Sequence, residues 1–169
     1  MAVVSDTSPL RYFIATGHVD LLRQVLGSLI IPRQVLLELS HPSTPLVVRN
    51  WCSSLPNWIS LGVLSGPPDP ALAKSLDPGE AAAIQLAIEI DAHLLLIDER
   101  VGRYEATRRG VPVVGALGVM REGFRRGFIA DPMAAVAAMR SGGFRVSKRL
   151  LDEFQEGIEA ITQGKGAPG

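Results

Sequence analysis

Four carboxylates stand where acidic side chains can do chemistry. Asp6 and Asp98 each follow a short apolar run that predicts a buried strand. In parallel sheets, ligands bind beyond the carboxyl ends of the strands, so both side chains are candidates for a binding site. Glu38 is surrounded by apolar residues on a predicted helix, where an unpaired carboxylate is costly. Glu80 lies in the first turn of another predicted helix and completes the set.

Some of these acids also have an ordinary structural explanation. Asp98 is able to cap the helix predicted to follow it, which is a common use of aspartate after a strand. Glu80 closes an Asp-x-x-Glu capping box, and locally that explanation is favoured. Ser8, which precedes a proline, predicts the N-cap of the first helix and leaves Asp6 without that role. For Asp98 the capping and the functional interpretations both stay open.

Strands and helices alternate along the chain. Strands are predicted at 2–4, 28–31, 93–97 and 111–114, and helices from 8 onward and at 19–26, 33–40, 77–90, 101–109, 116–126, 132–140 and 147–162. Six prolines interrupt 41–70, where we expect a helix at 47–55 and an extended segment at 58–64. Strands that are apolar on nearly every residue are typical of a parallel sheet covered on both faces, so the predicted fold class is α/β.

Composition bounds the class of protein. The chain has 169 residues, of which 47% are hydrophobic and 20% charged, and this predicts one domain with a substantial core. A single cysteine, Cys52, rules out an intrachain disulfide and a thiolate metal cage. The first residues do not have the pattern of a signal peptide and no apolar run approaches the length that crosses a bilayer, so we expect neither secretion nor a membrane span. We therefore expect a cytoplasmic protein.

Charge is balanced overall but unevenly distributed. The formal net charge is zero, which argues against nucleic-acid binding by bulk positive charge alone. Residues 1–99 contain 5 basic and 10 acidic side chains, whereas residues 100–149 contain 11 basic and 3 acidic ones. The second region is therefore where we expect a polyanion to bind. No glycine-rich phosphate loop follows either strand that ends in aspartate, so a nucleotide-cofactor site is not supported.

Four segments contain the acids and form a recognisable set of motifs. They are Val-Ser-Asp-Thr-Ser-Pro-Leu at 4–10, Ile-Pro-Arg-Gln-Val-Leu-Leu-Glu at 31–38, Gly-Glu-Ala-Ala-Ala-Ile-Gln-Leu-Ala at 79–87 and Leu-Leu-Ile-Asp-Glu-Arg at 95–100. In these motifs and their order, roughly residues 2–155 resemble the PIN-domain nucleases, and in particular the small prokaryotic proteins related to VapC-type toxins. The resemblance implies a three-layer α/β/α fold with a central, mostly parallel sheet, formed by one domain at 1–163 and followed by a flexible tail at 164–169.

The resemblance also implies a site. Asp6, Glu38, Glu80 and Asp98 would be the catalytic residues and would bind a divalent metal, with Ser8 or Thr7 as a supporting hydroxyl. Hard oxygen ligands select Mg²⁺ or Mn²⁺, and like charges gathered in one place need a cation. Many PIN domains have aspartate where Glu80 stands here. Asp77 and Glu99 are further candidate ligands, so the number of metals stays open.

Substrate binding is expected beside those acids. Arg100 and Arg103 directly follow Asp98 in the sequence and are candidates for holding the phosphates that flank the scissile bond, together with Ser8. Arg121, Arg125 and Arg126 form a patch that is more distant in the sequence.

The functional hypothesis is a metal-dependent endoribonuclease that hydrolyses RNA phosphodiester bonds. By the resemblance it would be the toxin of a toxin-antitoxin pair, with a small antitoxin protein as partner and a homodimer as the expected oligomer. RNA, rather than DNA, follows from the family alone. Two alternatives stay open: a response-regulator-like phosphoacceptor domain, and a catalytically silent PIN-like module that binds RNA or protein. The phosphoacceptor alternative lacks the acidic pair that it requires after the first strand, where Asp6 stands alone.

Overall fold

A computed structural model describes residues 1–164. The strands are β1 Val3–Ser5, β2 Leu29–Pro32, β3 Ile59–Gly62, β4 Leu94–Leu96 and β5 Val113–Val114. The helices are α1 Thr7–Ala15, α2 Val19–Leu26, α3 Arg33–Leu39, α4 Leu46–Ser53, α5 Pro70–Ser75, α6 Pro78–Glu89, α7 Arg100–Arg108, α8 Ala116–Arg125, α9 Pro132–Ser141 and α10 Lys148–Thr162. The expected tail at 164–169 lies, from residue 165 onward, outside the described residues.

The strands form one parallel sheet in the order β3-β2-β1-β4-β5. All four strand pairings are parallel, and β1 pairs with β4 so that Ser5 lies opposite Leu96. The chain adds β2 and β3 on one side of β1 and then returns to add β4 and β5 on the other. The strand order therefore reverses between β1 and β4, which is where ligands bind in sheets of this kind.

Helices cover both faces of the sheet. Successive strand residues point to opposite faces, so Val3 and Leu96 pack with α1, α2, α3 and the helices from α8 onward. Val4, Leu95 and Ile97 pack on the other face with α5, α6 and α7. The predicted α/β class and the three-layer α/β/α arrangement are confirmed.

One local prediction was wrong, and one short helix was not predicted. Helix α1 begins at Thr7, so Ser8 lies inside the first turn and Asp6 occupies the N-cap position, where its side chain makes no capping hydrogen bond. Proline at the third helical position is compatible with this start because first-turn N–H groups need no helical partner. Helix α5 was not predicted, since prolines surround it. Asp69 caps it by accepting a 2.9 Å hydrogen bond from the N–H of Ala71.

Among the described residues, no helix combines the length and apolar character that a bilayer crossing requires.

Candidate active site

Asp6 lies at the carboxyl end of the central strand. Its backbone N–H donates to the carbonyl of Leu96 at 2.9 Å, and the residue is only 1% exposed. Neither carboxylate oxygen has a hydrogen-bond partner within residues 1–164. Burial and repulsion from nearby acids hold the pKa of Asp6 well above its usual range, although the N–H of Thr7, which lies nearby without the geometry of a hydrogen bond, offsets part of the rise. A buried carboxylate in this state needs a proton or a cation.

Glu38 accepts hydrogen bonds from the first turns of two helices, α1 and α6. One oxygen accepts from the hydroxyl of Thr7 at the start of α1, and the other accepts from the N–H of Gly79 in α6 at 2.8 Å. Of the two hydroxyls considered from the sequence, Thr7 is therefore the one that contacts an acid. Burial, followed by repulsion from Asp77, raises the pKa of Glu38 against the effect of these hydrogen bonds.

Glu80 has the capping role predicted for it and is also buried. Its N–H donates to Asp77 at 2.9 Å, and its carboxylate accepts from the N–H of Asp77 at 3.2 Å, which confirms the capping box. The residue is 7% exposed. Burial and then repulsion from Asp77, with smaller contributions from Glu99 and Glu38, raise its pKa to about 7. A capping glutamate is normally solvated, so this environment is unusual for that role alone.

We call Asp6, Glu38, Asp77 and Glu80 the acid cluster, because repulsion among them contributes to the raised pKa values. Asp77 is exposed, whereas Asp6 is fully enclosed. Four carboxylates converge here from a strand end, a helix interior and a helix start. A divalent cation at this position would remove the repulsion between them.

Asp98 does not cap the helix that follows it, so that interpretation was wrong. Glu99 caps α7 instead, accepting from the N–H of Gly102 at 2.7 Å. Asp98 reaches the start of α8, where one oxygen accepts from the N–H of Ala116 at 2.8 Å, and its other oxygen is buried without a partner in the described part of the chain. Burial raises its pKa, while the Ala116 N–H and the charge of Arg103 act in the opposite direction.

Asp98 and the acid cluster thus meet at one edge but in different surroundings. The pairing of β1 with β4 places Asp6 and Asp98 at neighbouring strand ends. The charged group that acts on the pKa of Asp98 is Arg103, whereas Asp6, Glu38 and Glu80 are affected by neighbouring acids. Asp6 and Asp98 are the acids of residues 1–164 that have buried, unpartnered side-chain oxygens.

The candidate substrate-binding residues differ in whether their polar groups already contact other parts of the protein. The guanidinium of Arg103 donates to the carbonyl of Ile97 at 2.9 Å, so part of its hydrogen-bonding capacity serves the protein. Arg100 is exposed and forms no ion pair with any residue in the described range. Ser8 is half-buried in the first turn of α1.

The distant arginine patch lies at the other end of the sheet. Glu122 forms 2.6 Å ion pairs with Arg125 and Arg126. A cavity of about 620 Å³ places Arg126 and Glu122 beside Met1 and His93, the residues that precede β1 and β4. The end of α8 is therefore at the amino edge of the strands, away from the acids.

Sequence reasoning missed two glycines that make room for the acids. A Cβ added at Gly79 would lie 2.6 Å from the carboxylate carbon of Glu38. One added at Gly115 would lie 2.6 Å from an oxygen of Asp98 and 2.9 Å from the guanidinium of Arg103. Neither glycine has the positive φ that would explain it by backbone conformation. The available signal was a glycine at a helix start that no turn requires, because such a glycine indicates a close contact with another group.

The donor set suits a hard divalent cation, but it is not arranged as a finished metal cage. Within residues 1–164, no group of three or more histidine, cysteine, aspartate or glutamate side chains could hold a metal ion in the present geometry. The unpartnered oxygens of Asp6 and Asp98 are available as ligands. Glu38 and Glu80 are engaged in hydrogen bonds and would have to turn to reach the same ion.

Comparison with protein families identifies the chain. A family model described as PIN domain matches residues 2–159. No match was found among curated proteins or among solved structures. PIN domains are typically nucleases, and such nucleases generally use divalent metal ions. The matched region contains all five strands and the acids described above. The chain therefore belongs to the PIN-domain family.

Proposed function

We propose that this protein is a metal-dependent endoribonuclease that hydrolyses RNA phosphodiester bonds. The observation that carries the proposal is the set of three buried carboxylate oxygens without partners, two on Asp6 and one on Asp98, at the point where the strand order reverses. Buried carboxylate oxygens without hydrogen bonds destabilise a fold. Such groups are found at functional sites, where a bound ligand supplies the missing interactions. The choice of RNA follows the family resemblance.

Asp6, Glu38, Glu80 and Asp98 would hold Mg²⁺ or Mn²⁺, with Asp6 and Asp98 as the first points of attachment. A bound divalent ion supplies neutralisation of phosphate charge, activation of water and stabilisation of the leaving oxygen. For Glu80 to join, its carboxylate has to leave the 3.2 Å contact with the N–H of Asp77. The neighbouring hydrogen bond from Glu80 N–H to Asp77 is unaffected by that rotation, so α6 keeps a cap.

Thr7 and Gly79 would position Glu38 rather than bind the ion. They fix both of its oxygens and thereby hold the carboxylate between α1 and α6. A proton retained by Glu80 in the metal-free protein would be released when the cation enters, since ligands bind metals in the deprotonated form. Metal affinity should therefore rise with pH across the range in which Glu80 titrates, near its pKa of about 7.

Arg100, Arg103 and Ser8 would contact the substrate. Arg100 is free to take a phosphate on the exposed start of α7. Arg103 lies against Asp98 and the Ile97 carbonyl, so it would hold a phosphate only very close to the acids. Ser8 lies in the first turn of α1, two residues after the N-cap Asp6.

The test uses Asp98→Asn. Asparagine keeps a carbonyl oxygen that can accept the 2.8 Å hydrogen bond from Ala116, so the local fold should survive. A neutral amide holds a divalent cation weakly, so Mg²⁺- or Mn²⁺-dependent cleavage of single-stranded RNA should fall by at least about a hundredfold. Full activity in Asp98→Asn, with an identically purified inactive control to exclude contaminating ribonuclease, would end the assignment.

A catalytically silent PIN-like module that binds RNA or protein is the second candidate. It is favoured by the lack, within the described residues, of side chains already arranged around a metal ion. The same assay separates the two. RNA binding without metal-dependent cleavage by the parent protein supports the silent module.

We further propose the toxin role, with a small antitoxin as partner and a homodimer as the working unit. Leu37, beside Glu38, is 59% exposed, and Leu46 and Val47 on the contacting helix α4 are 61% and 53% exposed. Apolar groups of this kind next to an acid site suit a protein that covers it. Growth arrest on induced expression, relieved by co-expressing a short adjacent reading frame, would support the role. Light scattering measures the oligomer directly.

A further inference from the structure

The outward face of α7 carries an unusual group of side chains. Val101 is 44% exposed and Tyr104 is 65% exposed, and residues three apart are neighbours on a helix surface. Tyr104 has the most exposed aromatic ring in residues 1–164. It is absent from the two aromatic pairs of that range, and its hydroxyl makes no hydrogen bond there. The protein itself therefore gives this ring no packing partner.

Positive charge flanks the ring along the helix. Arg100 precedes Tyr104 by four residues and Arg108 follows it by four, so each lies one turn away, about 6 Å along the axis. Arg108 pairs with Glu105 at 3.1 Å, whereas Arg100 has no ion pair in the described range. Arg100 is therefore the cation beside the ring that remains available to an external anion.

This face begins at the candidate active site. α7 starts two residues after Asp98, and its capping residue Glu99 lies close enough to Glu80 to contribute to the repulsion there. The helix also packs against α6, which carries Glu80 in its first turn. A strand leaving the acids along α7 would pass Arg100 first and then reach Tyr104.

We propose that Tyr104 is a base-stacking residue, which receives an unpaired base of single-stranded RNA while Arg100 holds a neighbouring phosphate. The proposal rests on the proposed function and adds a substrate-binding residue to it. An aromatic ring next to a cation is the combination that binds single strands with little sequence preference, because every base offers a face for stacking. Bases inside a duplex are already stacked on each other, so the surface discriminates against double strands.

The experiment measures binding without cleavage. A fluorescein-labelled single-stranded RNA and the matching duplex are titrated in EDTA with the parent, Tyr104→Ala and Tyr104→Phe, and fluorescence anisotropy is recorded. Loss of stacking should weaken single-strand binding by Tyr104→Ala about tenfold. Tyr104→Phe keeps the ring and should bind like the parent. Duplex affinity should be the same for all three.

Two controls separate stacking from charge and from general damage. Tyr104→Ala should leave the salt dependence of binding unchanged, whereas Arg100→Ala should flatten it, because only the arginine releases counterions from a phosphate. Phe128→Ala removes another exposed ring, 44% exposed, beyond the far end of α8 and should have no effect.

Unchanged single-strand affinity in Tyr104→Ala overturns the proposal and leaves the α7 face as a protein-docking surface. An equal loss in Tyr104→Phe also overturns it, since the hydroxyl would then be the contact. A parent that neither binds RNA in EDTA nor cleaves it with Mg²⁺ or Mn²⁺ refutes stacking together with RNA cleavage. A parent that cleaves RNA, with the same KM in Tyr104→Ala, refutes stacking alone and leaves the proposed function standing.

Discussion

Replacing Glu80 by glutamine tests the electrostatics of the acid cluster in the absence of metal. Glutamine has nearly the same shape, and it is accepted at this position of a capping box because its side-chain oxygen can still bond to the N-cap N–H. The substitution therefore removes the charge of a side chain that is 7% exposed while preserving its contact with Asp77. Any large change in stability then reports the cost of that charge.

The magnitude follows from the pKa of Glu80, which rises from 4.5 to about 7 on folding. One pKa unit corresponds to about 1.4 kcal/mol, so the ionised glutamate costs the folded protein about 3 kcal/mol. Because the folded-state pKa is raised, the folded protein holds this proton more tightly than the unfolded chain. Tighter proton binding by Glu80 stabilises the folded protein. This contribution to the free energy of unfolding is fully present below about pH 4.5 and is lost as pH rises through about 7.

Urea denaturation in EDTA at pH 5 and pH 8.5 measures the effect. Glu80→Gln should exceed the parent in free energy of unfolding by about 2–3 kcal/mol at pH 8.5, and by much less at pH 5. Glu89→Gln on the same helix is the matched control. Glu89 is exposed, and its bonds from Ser65 lower its pKa, so its replacement should give a small change of opposite sign.

Equal stability of parent and Glu80→Gln at both pH values would refute this reasoning, because it would show that the carboxylate is already solvated. Addition of Mn²⁺ at pH 8.5 should reverse the order, stabilising the parent by mass action more than the variant.

Further predictions concern positioning and substrate binding. Gly79→Ala should leave stability unchanged or slightly lowered, because the helix preference of alanine is offset by displacement of the Glu38 carboxylate from its hydrogen bonds with Thr7 and Gly79. The same displacement should weaken Mn²⁺ binding about tenfold. Calorimetry and thermal melting read both quantities, and unchanged Mn²⁺ affinity would remove Gly79 from the account. Arg100→Ala should lower RNA affinity and reduce the slope of log affinity against log salt by about one. The guanidinium of Arg125 pairs with Glu122 at the opposite edge of the sheet, so Arg125→Ala should change neither the RNA affinity nor its salt dependence. Equal effects of Arg100→Ala and Arg125→Ala would show that RNA does not bind preferentially beside the acids.

Much of the fold could be predicted because its signals are local. The apolar runs before Asp6 and Asp98 were long enough to identify as buried strands, and the capping box at Asp77 gave the start of α6 correctly. The region from 41 to 70 yielded only part of its structure. Helix α5 is six residues long and depends on the cap from Asp69, so it has too little periodicity to be detected.

The site was harder to predict because its decisive features are long-range. The sequence offered Asp98 a cap role in the next helix, whereas its hydrogen bond goes to Ala116, 18 residues away. Glu38 meets Gly79 across 41 residues, and no spacing rule predicts that contact. Arg103 likewise donates to the Ile97 carbonyl and lies close to Asp98. These contacts depend on the orientation of α7 relative to β4, which a count of charges along the sequence does not predict.

The most direct test of the central claim is calorimetric titration of Mn²⁺ into the parent and Asp6→Asn at neutral pH. Asp6 is the buried acid with two unpartnered oxygens, and asparagine replaces it with little change in shape. The parent should bind Mn²⁺ and release protons, detected as a heat that varies with the buffer, while Asp6→Asn should lose most of the affinity. Absence of binding by the folded parent, or equal affinity in Asp6→Asn, would contradict the assignment of a metal centre to this edge of the sheet.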